Sequence, residues 1–256
     1  MRLTSIMLLC LLMLASVKSI ETIPPVAKKL IESYPDFIIG FADNNLLFND
    51  NTKMLWDDGI KNKTINQLLE QPDLEDMFSQ KYVTGALAAL PDRNFDPGRM
   101  RNEAFFLKMY GATKQAVNQN LTTITWCPKL VSQKISVTKV NGVDKQLLKI
   151  SAALDQHPEL RKYLTEIGGT FNWRNIAGTN RHSMHSFGMT MDVNTKYSDY
   201  WQWSCKCKTE ETPVRYVNRI PQIIVDTFER YGFIWGGKWY HYDTMHFEYR
   251  PELINH

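Results

Sequence analysis

At 256 residues, 43% apolar and 12% aromatic, the chain is long and apolar enough to bury one large core. Its 30 basic and 27 acidic residues leave a net charge of +3, which falls to +1 if Arg2 and Lys18 leave with a leader. That near-neutral balance, with no basic block, argues against nucleic acid as a partner and gives no electrostatic pull toward a wall polymer.

In chain order, residues 1–19 have the form of a secretory signal peptide: Arg2, an apolar run over 6–17, then Lys18-Ser19, with cleavage expected before Ile20. Leu9 before Cys10 does not suit lipoprotein processing. The run is too short for a membrane span, and no later stretch is apolar enough for one. The sequence thus predicts an exported chain, periplasmic or extracellular, without stable membrane insertion and monomeric. Residues 37–41 and 46–48 read as paired strands around the turn Asp43-Asn44-Asn45. Residues 64–69 and 103–110 read as helices. Asp96-Pro97-Gly98 reads as a surface turn; the rival reading has its Arg99 and Arg101 approach an acidic peptide. Residues 134–140 alternate like a strand ahead of Asn141-Gly142. Helices over 146–154 and 158–166 lead to a strand over 167–173 and a strand-like run from Met189 to Asn194. Residues 221–231 give the clearest helix, with Pro221 at its start, Ile223, Ile224 and Phe228 on one side, and Gly232 at its end. Strands over 233–235 and 246–249 close the chain. The predicted fold is α+β: a small, mainly antiparallel sheet flanked by helices. Residues 20–131 are expected to form an N-terminal extension packed on a core domain of residues 132–256. Cys127 is a candidate to pair with Cys205 or Cys207, as an export route permits. Trp201 and Trp239 are the candidate walls of a substrate groove.

The chemistry concentrates in two motifs. The first, Ser183 through Asp192, offers the imidazole of His185 and the carboxylate of Asp192, with Gly188 between them. The second, Asp243-Thr244-Met245-His246, offers another imidazole with an acid three residues before it. Two histidines and one carboxylate are a usual ligand set for a catalytic zinc, with one position left for water. Asp243 is then a natural general base. On one continuous strand, seven residues would put His185 and Asp192 on opposite faces. Convergence therefore requires a turn or bulge at Gly188, where glycine tolerates the necessary φ. A three-residue spacing lets Asp243 and His246 share a tight bend. An arginine can stabilise the oxyanion that builds up in amide hydrolysis. Arg174 and Arg181 both stand close before His185, with Arg174 favoured. His241 and His182 are secondary imidazoles.

The run Ser-x-His-x-x-Gly-x-x-x-Asp, followed by acid-x-x-His-Phe-Glu, resembles the zinc peptidases of the VanY type. These are the D-alanyl-D-alanine carboxypeptidases and L-alanyl-D-glutamate endopeptidases of bacterial cell walls. Their wider group shares a fold with lysostaphin and the hedgehog signalling domain. The resemblance covers about residues 169–252. It implies one zinc per chain bound by His185, Asp192 and His246, Asp243 as catalytic base, and Arg174 as the family's arginine, in the context Phe171-Asn172-Trp173-Arg174. It departs at Thr190, where the family usually has alanine. The substrate implied is the peptidoglycan stem peptide, with exo versus endo cleavage open. The rivals are a zinc-binding recognition module without turnover and a hydrolase of another amide.

Overall fold

The computed structural model describes residues 22–206 and 214–254; the expected signal peptide and Cys207 lie outside them. The chain runs α1 (Pro25–Ser33), β1 (Ile38–Ala42), β2 (Asn45–Phe48), β3 (Lys53–Leu55), α2 (Ile65–Glu70), α3 (Glu103–Tyr110), α4 (Lys114–Gln119), β4 (Leu121–Trp126) and β5 (Gln133–Thr138). It continues through α5 (Val143–Leu154), α6 (Arg161–Leu164), β6 (Ile167–Gly169), β7 (Thr190–Asn194), α7 (Trp201–Cys205), α8 (Gln222–Arg230), β8 (Phe233–Trp235) and β9 (His246–Tyr249). The architecture is mixed α and β with small antiparallel sheets, as expected: β1-β2-β3, β4-β5 and β6-β7-β9-β8 among the described residues.

Local chemistry accounts for the elements that frame the site. Asp43 and Asn44 both take positive φ, +49° and +56°, and turn β1 back onto β2. Thr64 caps α2 in a reciprocal box: its hydroxyl accepts from the Gln67 N–H, and Gln67 Oε1 accepts from the Thr64 N–H. Asn102 caps α3 by accepting from the Phe105 N–H at 2.9 Å. Pro221 precedes α8, and Gly232, at φ +87°, turns the chain into β8.

The four-stranded sheet carries the site on one face and the core on the other. In β7 and β9, Met191 opposes Phe247, while Asp192 opposes His246 and Thr190 opposes Glu248. Strand alternation therefore sends Met191, Val193 and Phe247 one way and Thr190, Asp192, His246 and Glu248 the other. Phe228 of α8 stacks on Phe247 with centroids 3.9 Å apart, and Trp126 of β4 packs on Phe228. Burying such aromatics is the main stabilising contribution here, about 2–3 kcal/mol per ring. The same apolar cluster runs from Ala27, Leu30 and Tyr34 through Phe105 and Phe106 to Phe187, Met189 and Phe247. No helix among the described residues is long and apolar enough to cross a membrane.

Candidate metal centre

His185 sits on a short 3₁₀ turn, Met184–Phe187, which Gly188 closes at φ +66°. A Cβ on Gly188 would stand 2.8 Å from Leu121 Cδ2 and 3.3 Å from the Thr138 N. Both the backbone twist and the close approach require glycine there. The chain then enters β7, so the turn that the spacing demanded is the device that brings His185 back over Asp192. Asp192 and His246 are direct cross-strand partners. One donor atom each from His185, Asp192 and His246 lies within 4.8 Å of the others. His185 Nε2 is 3.2 Å from Asp192 Oδ1, and His246 Nδ1 is 3.1 Å from the same oxygen.

The outer nitrogens are anchored too. His185 Nδ1 lies 3.1 Å from the Thr170 carbonyl oxygen, and His246 Nε2 lies 3.3 Å from Glu248 Oε2. A carbonyl only accepts, so His185 Nδ1 carries a proton and can leave Nε2 as the inward lone pair. The Thr190 hydroxyl donates to the same carbonyl at 3.3 Å, so threonine fits where the resemblance expected alanine.

Asp243 and His246 are the ends of one tight turn, with the His246 N–H donating to the Asp243 carbonyl oxygen at 3.2 Å. Asp243 Oδ1 is buried and has no hydrogen-bond partner among the described residues. Burial, reinforced by the Asp192 carboxylate, raises the Asp243 carboxyl to about 6, against the pull of His246 and His185. Burial disfavours a charged His246, yet its bonds to Asp192 and Glu248 outweigh this and lift it to about 10. Burial likewise opposes ionised Asp192, but His185 and His246 hold it well below the usual carboxylate range. The local field thus favours positive charge between the three donors. Two imidazoles and a carboxylate aimed at one point, with both outer nitrogens anchored, fit a tetrahedral zinc that keeps one position open.

The two candidate arginines are separated by their partners. The Arg174 N–H donates to Ser186 Oγ at 3.0 Å, and its carbonyl accepts from the Ser183 N–H at 3.0 Å, so its backbone is tied to the turn that carries His185. Its side chain is exposed, with Nη1 3.2 Å from the Asn175 carbonyl oxygen. It lies on a loop, because β6 ends at Gly169, short of the expected strand over 167–173. Arg181 instead pairs with Glu70 at 3.0 Å. His182 is bonded to Glu103, and His241 to Asp96 at 2.8 Å; neither belongs to the donor group. In a further acidic group, Asp57, Asp58 and Asp73, the Lys63 ammonium lies 2.7 Å from Asp58 and 3.1 Å from Asp73, and the Lys61 ammonium pairs with Asp57.

Three expectations are corrected. The turn at Asp96-Pro97-Gly98 is not on the surface. Asp96 accepts from His241, Trp239 Nε1 donates to the Pro97 carbonyl oxygen at 2.8 Å, and Gly98 packs so tightly that a Cβ would meet Ile234 at 2.4 Å. Trp201 and Trp239 do not offer open groove walls, being 3% and 4% exposed. Trp239 stands beside His246, with ring centroids 5.6 Å apart, but it is closed in by the 96–101 segment. Trp203, 57% exposed, is the open tryptophan near the site, with its ring 5.7 Å from that of Tyr200, whose backbone bridges to Asp243. Finally, Cys127 is a buried free thiol, so it does not pair with Cys205, which is itself disulfide-bonded. Sequence reasoning gave no place beside His185 and His246 to Glu248, which ends the second motif, to Arg101, which it set toward an acidic peptide, or to Thr170. For Glu248 alone there was a signal: it lies two residues beyond His246 in a strand, and so on the same face.

The family model described as D-alanyl-D-alanine carboxypeptidase matches residues 177–249. That span holds all three donors and Asp243, while Arg174 lies just before it. Over this segment the chain is similar to the D-alanyl-D-alanine carboxypeptidases, in line with the resemblance to the VanY-type peptidases. No curated protein and no solved structure matches the chain.

Proposed function

We propose that the chain is a zinc-dependent cell-wall peptidase that hydrolyses an amide bond in the peptidoglycan stem peptide, as a D,D-carboxypeptidase or an L-Ala-D-Glu endopeptidase. The observation that carries this reading is the convergence of His185 Nε2, Asp192 Oδ1 and His246 Nδ1 beside a buried Asp243 oxygen that has no hydrogen-bond partner among the described residues. The family match supports the peptidase class. One zinc ion held by the three donors would supply Lewis-acid chemistry to the carbonyl and to water. Asp243, raised toward neutrality, takes a proton from the water whose oxygen attacks the carbonyl carbon. It returns that proton to the amide nitrogen as the C–N bond breaks, leaving a carboxylate and an amine. Arg174 holds the oxyanion that forms between these steps. We assign the four-stranded sheet to the fold group of lysostaphin and the hedgehog domain, on the ground that Asp192 and His246 lie on adjacent antiparallel strands with His185 on the turn that enters one of them. Export by residues 1–19 would bring the enzyme to its substrate.

Mass spectrometry of purified muropeptides after digestion tests this. Loss of one terminal D-alanine identifies the carboxypeptidase, and release of a stem fragment the endopeptidase. An unchanged digest from zinc-loaded protein overturns the assignment. Asp243→Ala should retain zinc and lose turnover by about a hundred- to ten-thousand-fold. Zinc retained at wild-type stoichiometry in both His185→Ala and His246→Ala would refute the ligand set.

A further inference from the structure

Glu248 is fully buried in β9 and meets three cationic or proton-bearing groups. Arg101 forks onto it: Nε lies 3.1 Å from Oε1 and 3.2 Å from Oε2, and Nη2 lies 2.6 Å from Oε2. Arg250 Nη1 reaches Oε1 at 3.0 Å. His246 Nε2 stands 3.3 Å from Oε2. An isolated buried carboxylate is costly, and two guanidiniums in this geometry compensate it through charge-assisted bonds.

An ionised carboxylate can only accept. Glu248 therefore holds a proton on His246 Nε2, and the nitrogen turned toward Asp192 and His185 is Nδ1. His185 is anchored the opposite way, through Nδ1 to the Thr170 carbonyl. The two imidazoles thus present different nitrogens, each set by a different outer partner.

We infer that Glu248 is the positioning residue that fixes the tautomer and orientation of His246, and that Arg101, from the other half of the chain, sets Glu248 in place. The inference rests on the reading of His185, Asp192 and His246 as a metal site. Arg101 can do this because the 96–101 segment is pinned on several sides. Asp96 is bonded to His241, the Pro97 carbonyl to Trp239, and the Gly98 carbonyl to Arg250 at 3.0 Å. The Arg101 guanidinium also lies over the Trp239 ring, 5.5 Å from its centroid. Arginine suits the role where lysine would not, since its planar fork meets both carboxylate oxygens. The outer edge of Arg101 lines a cavity of about 190 Å³ between α2, α3 and residues 176–184, so a substitution there has room.

The test measures zinc affinity of the full chain by chelator competition for wild type, Arg101→Met, Arg101→Lys and Glu248→Gln. Arg101→Met should lower the thermal midpoint of the metal-free chain, because buried Glu248 loses part of its compensating charge, and should also weaken zinc binding by the folded protein about ten- to a hundred-fold; Arg101→Lys, which keeps the charge without the fork, should restore the midpoint more than the affinity. A purely architectural role would lower the metal-free midpoint and leave the affinity of the folded protein alone. Nitrogen-15 spectra of histidine-labelled, zinc-loaded wild type give a readout that needs no variant: the proton should sit on Nε2 of His246 and on Nδ1 of His185. Wild-type affinity in both Arg101→Met and Glu248→Gln, or a proton on His246 Nδ1, overturns the inference and leaves the peptidase assignment standing. Wild-type chain that binds no zinc through His185 and His246 overturns the metal reading, and this inference with it. Failure to cut muropeptides while zinc binds as described bears on the function alone.

Discussion

An oxyanion needs a donor that is not already committed, and the arginines near this site differ in that respect. Arg181 is paired with Glu70, Arg99 with Asp96, and Arg101 with Glu248. Arg174 makes one side-chain bond to a carbonyl, while its backbone is stitched to the turn that carries His185. Arg174→Ala should therefore lower kcat and kcat/KM together, about a hundred- to a thousand-fold, with KM little changed. Arg174→Lys should recover little, because a compact ammonium misses the guanidinium geometry. Arg181→Ala should cost a partly exposed ion pair, worth at most about 1 kcal/mol of stability, and little turnover. Steady-state kinetics on one defined stem peptide separates these outcomes. A rise in KM at constant kcat for Arg174→Ala would make it a carboxylate holder, and a large kcat loss confined to Arg181→Ala would reassign the role. At this scale the donors were legible, because a ligand set is a matter of residue type and spacing. Their outer partners were not. Thr170 acts through its backbone carbonyl, and Arg101 reaches Glu248 from 147 positions away in sequence. The groove tryptophans went wrong for a related reason, since what covers Trp239 is a segment far off in the chain.

The element on which the site turns is the short link from the His185 turn into β7. Its glycine was readable from parity alone: an odd spacing between two residues that must share a face demands a break. Other elements were less legible. β4 pairs with β5 along six residues, yet its sequence, Leu121 through Trp126, is rich in threonine and gives no clear apolar alternation. β6 is shorter than its pattern suggests because Gly169 takes φ +141° and the chain leaves the sheet, which lets the Thr170 carbonyl face His185. The Gly188 geometry makes a sharp prediction. Gly188→Ala would force alanine into left-handed backbone, at about 1–2 kcal/mol, and would press its Cβ on Leu121 and the Thr138 backbone. Denaturant unfolding should show at least that loss of stability. Zinc affinity should fall as well, because relief of the clash moves the His185 turn away from Asp192. Unchanged stability and affinity would mean that the turn adapts without cost, contrary to the packing described.

For the molecule as a whole, the question is whether residues 132–256 stand alone, as the motif-bearing half. The bonds that cross between the halves say otherwise. Arg101 compensates Glu248 inside the sheet. Tyr34 Oη donates to Glu252 at 3.4 Å, and Glu103 holds His182. Glu229 of α8 accepts from the Tyr82 hydroxyl and the Gly85 N–H. The apolar cluster behind the sheet is also shared, since Phe106 packs on Phe187 with centroids 6.1 Å apart. Truncating one such buried ring to alanine costs about 3–5 kcal/mol, against a total stability of about 5–15 kcal/mol for a typical domain. Removing residues 22–131 strips many such contacts at once and leaves Glu248 buried beside Arg250 and His246, with one of its two guanidiniums gone. A chain beginning at residue 132 should therefore show no cooperative thermal or urea transition, and its circular dichroism should lack the aromatic signals of the intact protein, even with zinc present. A cooperative transition together with tight zinc binding by that fragment would make the N-terminal residues an accessory, and would require Glu248 to be held in place without Arg101.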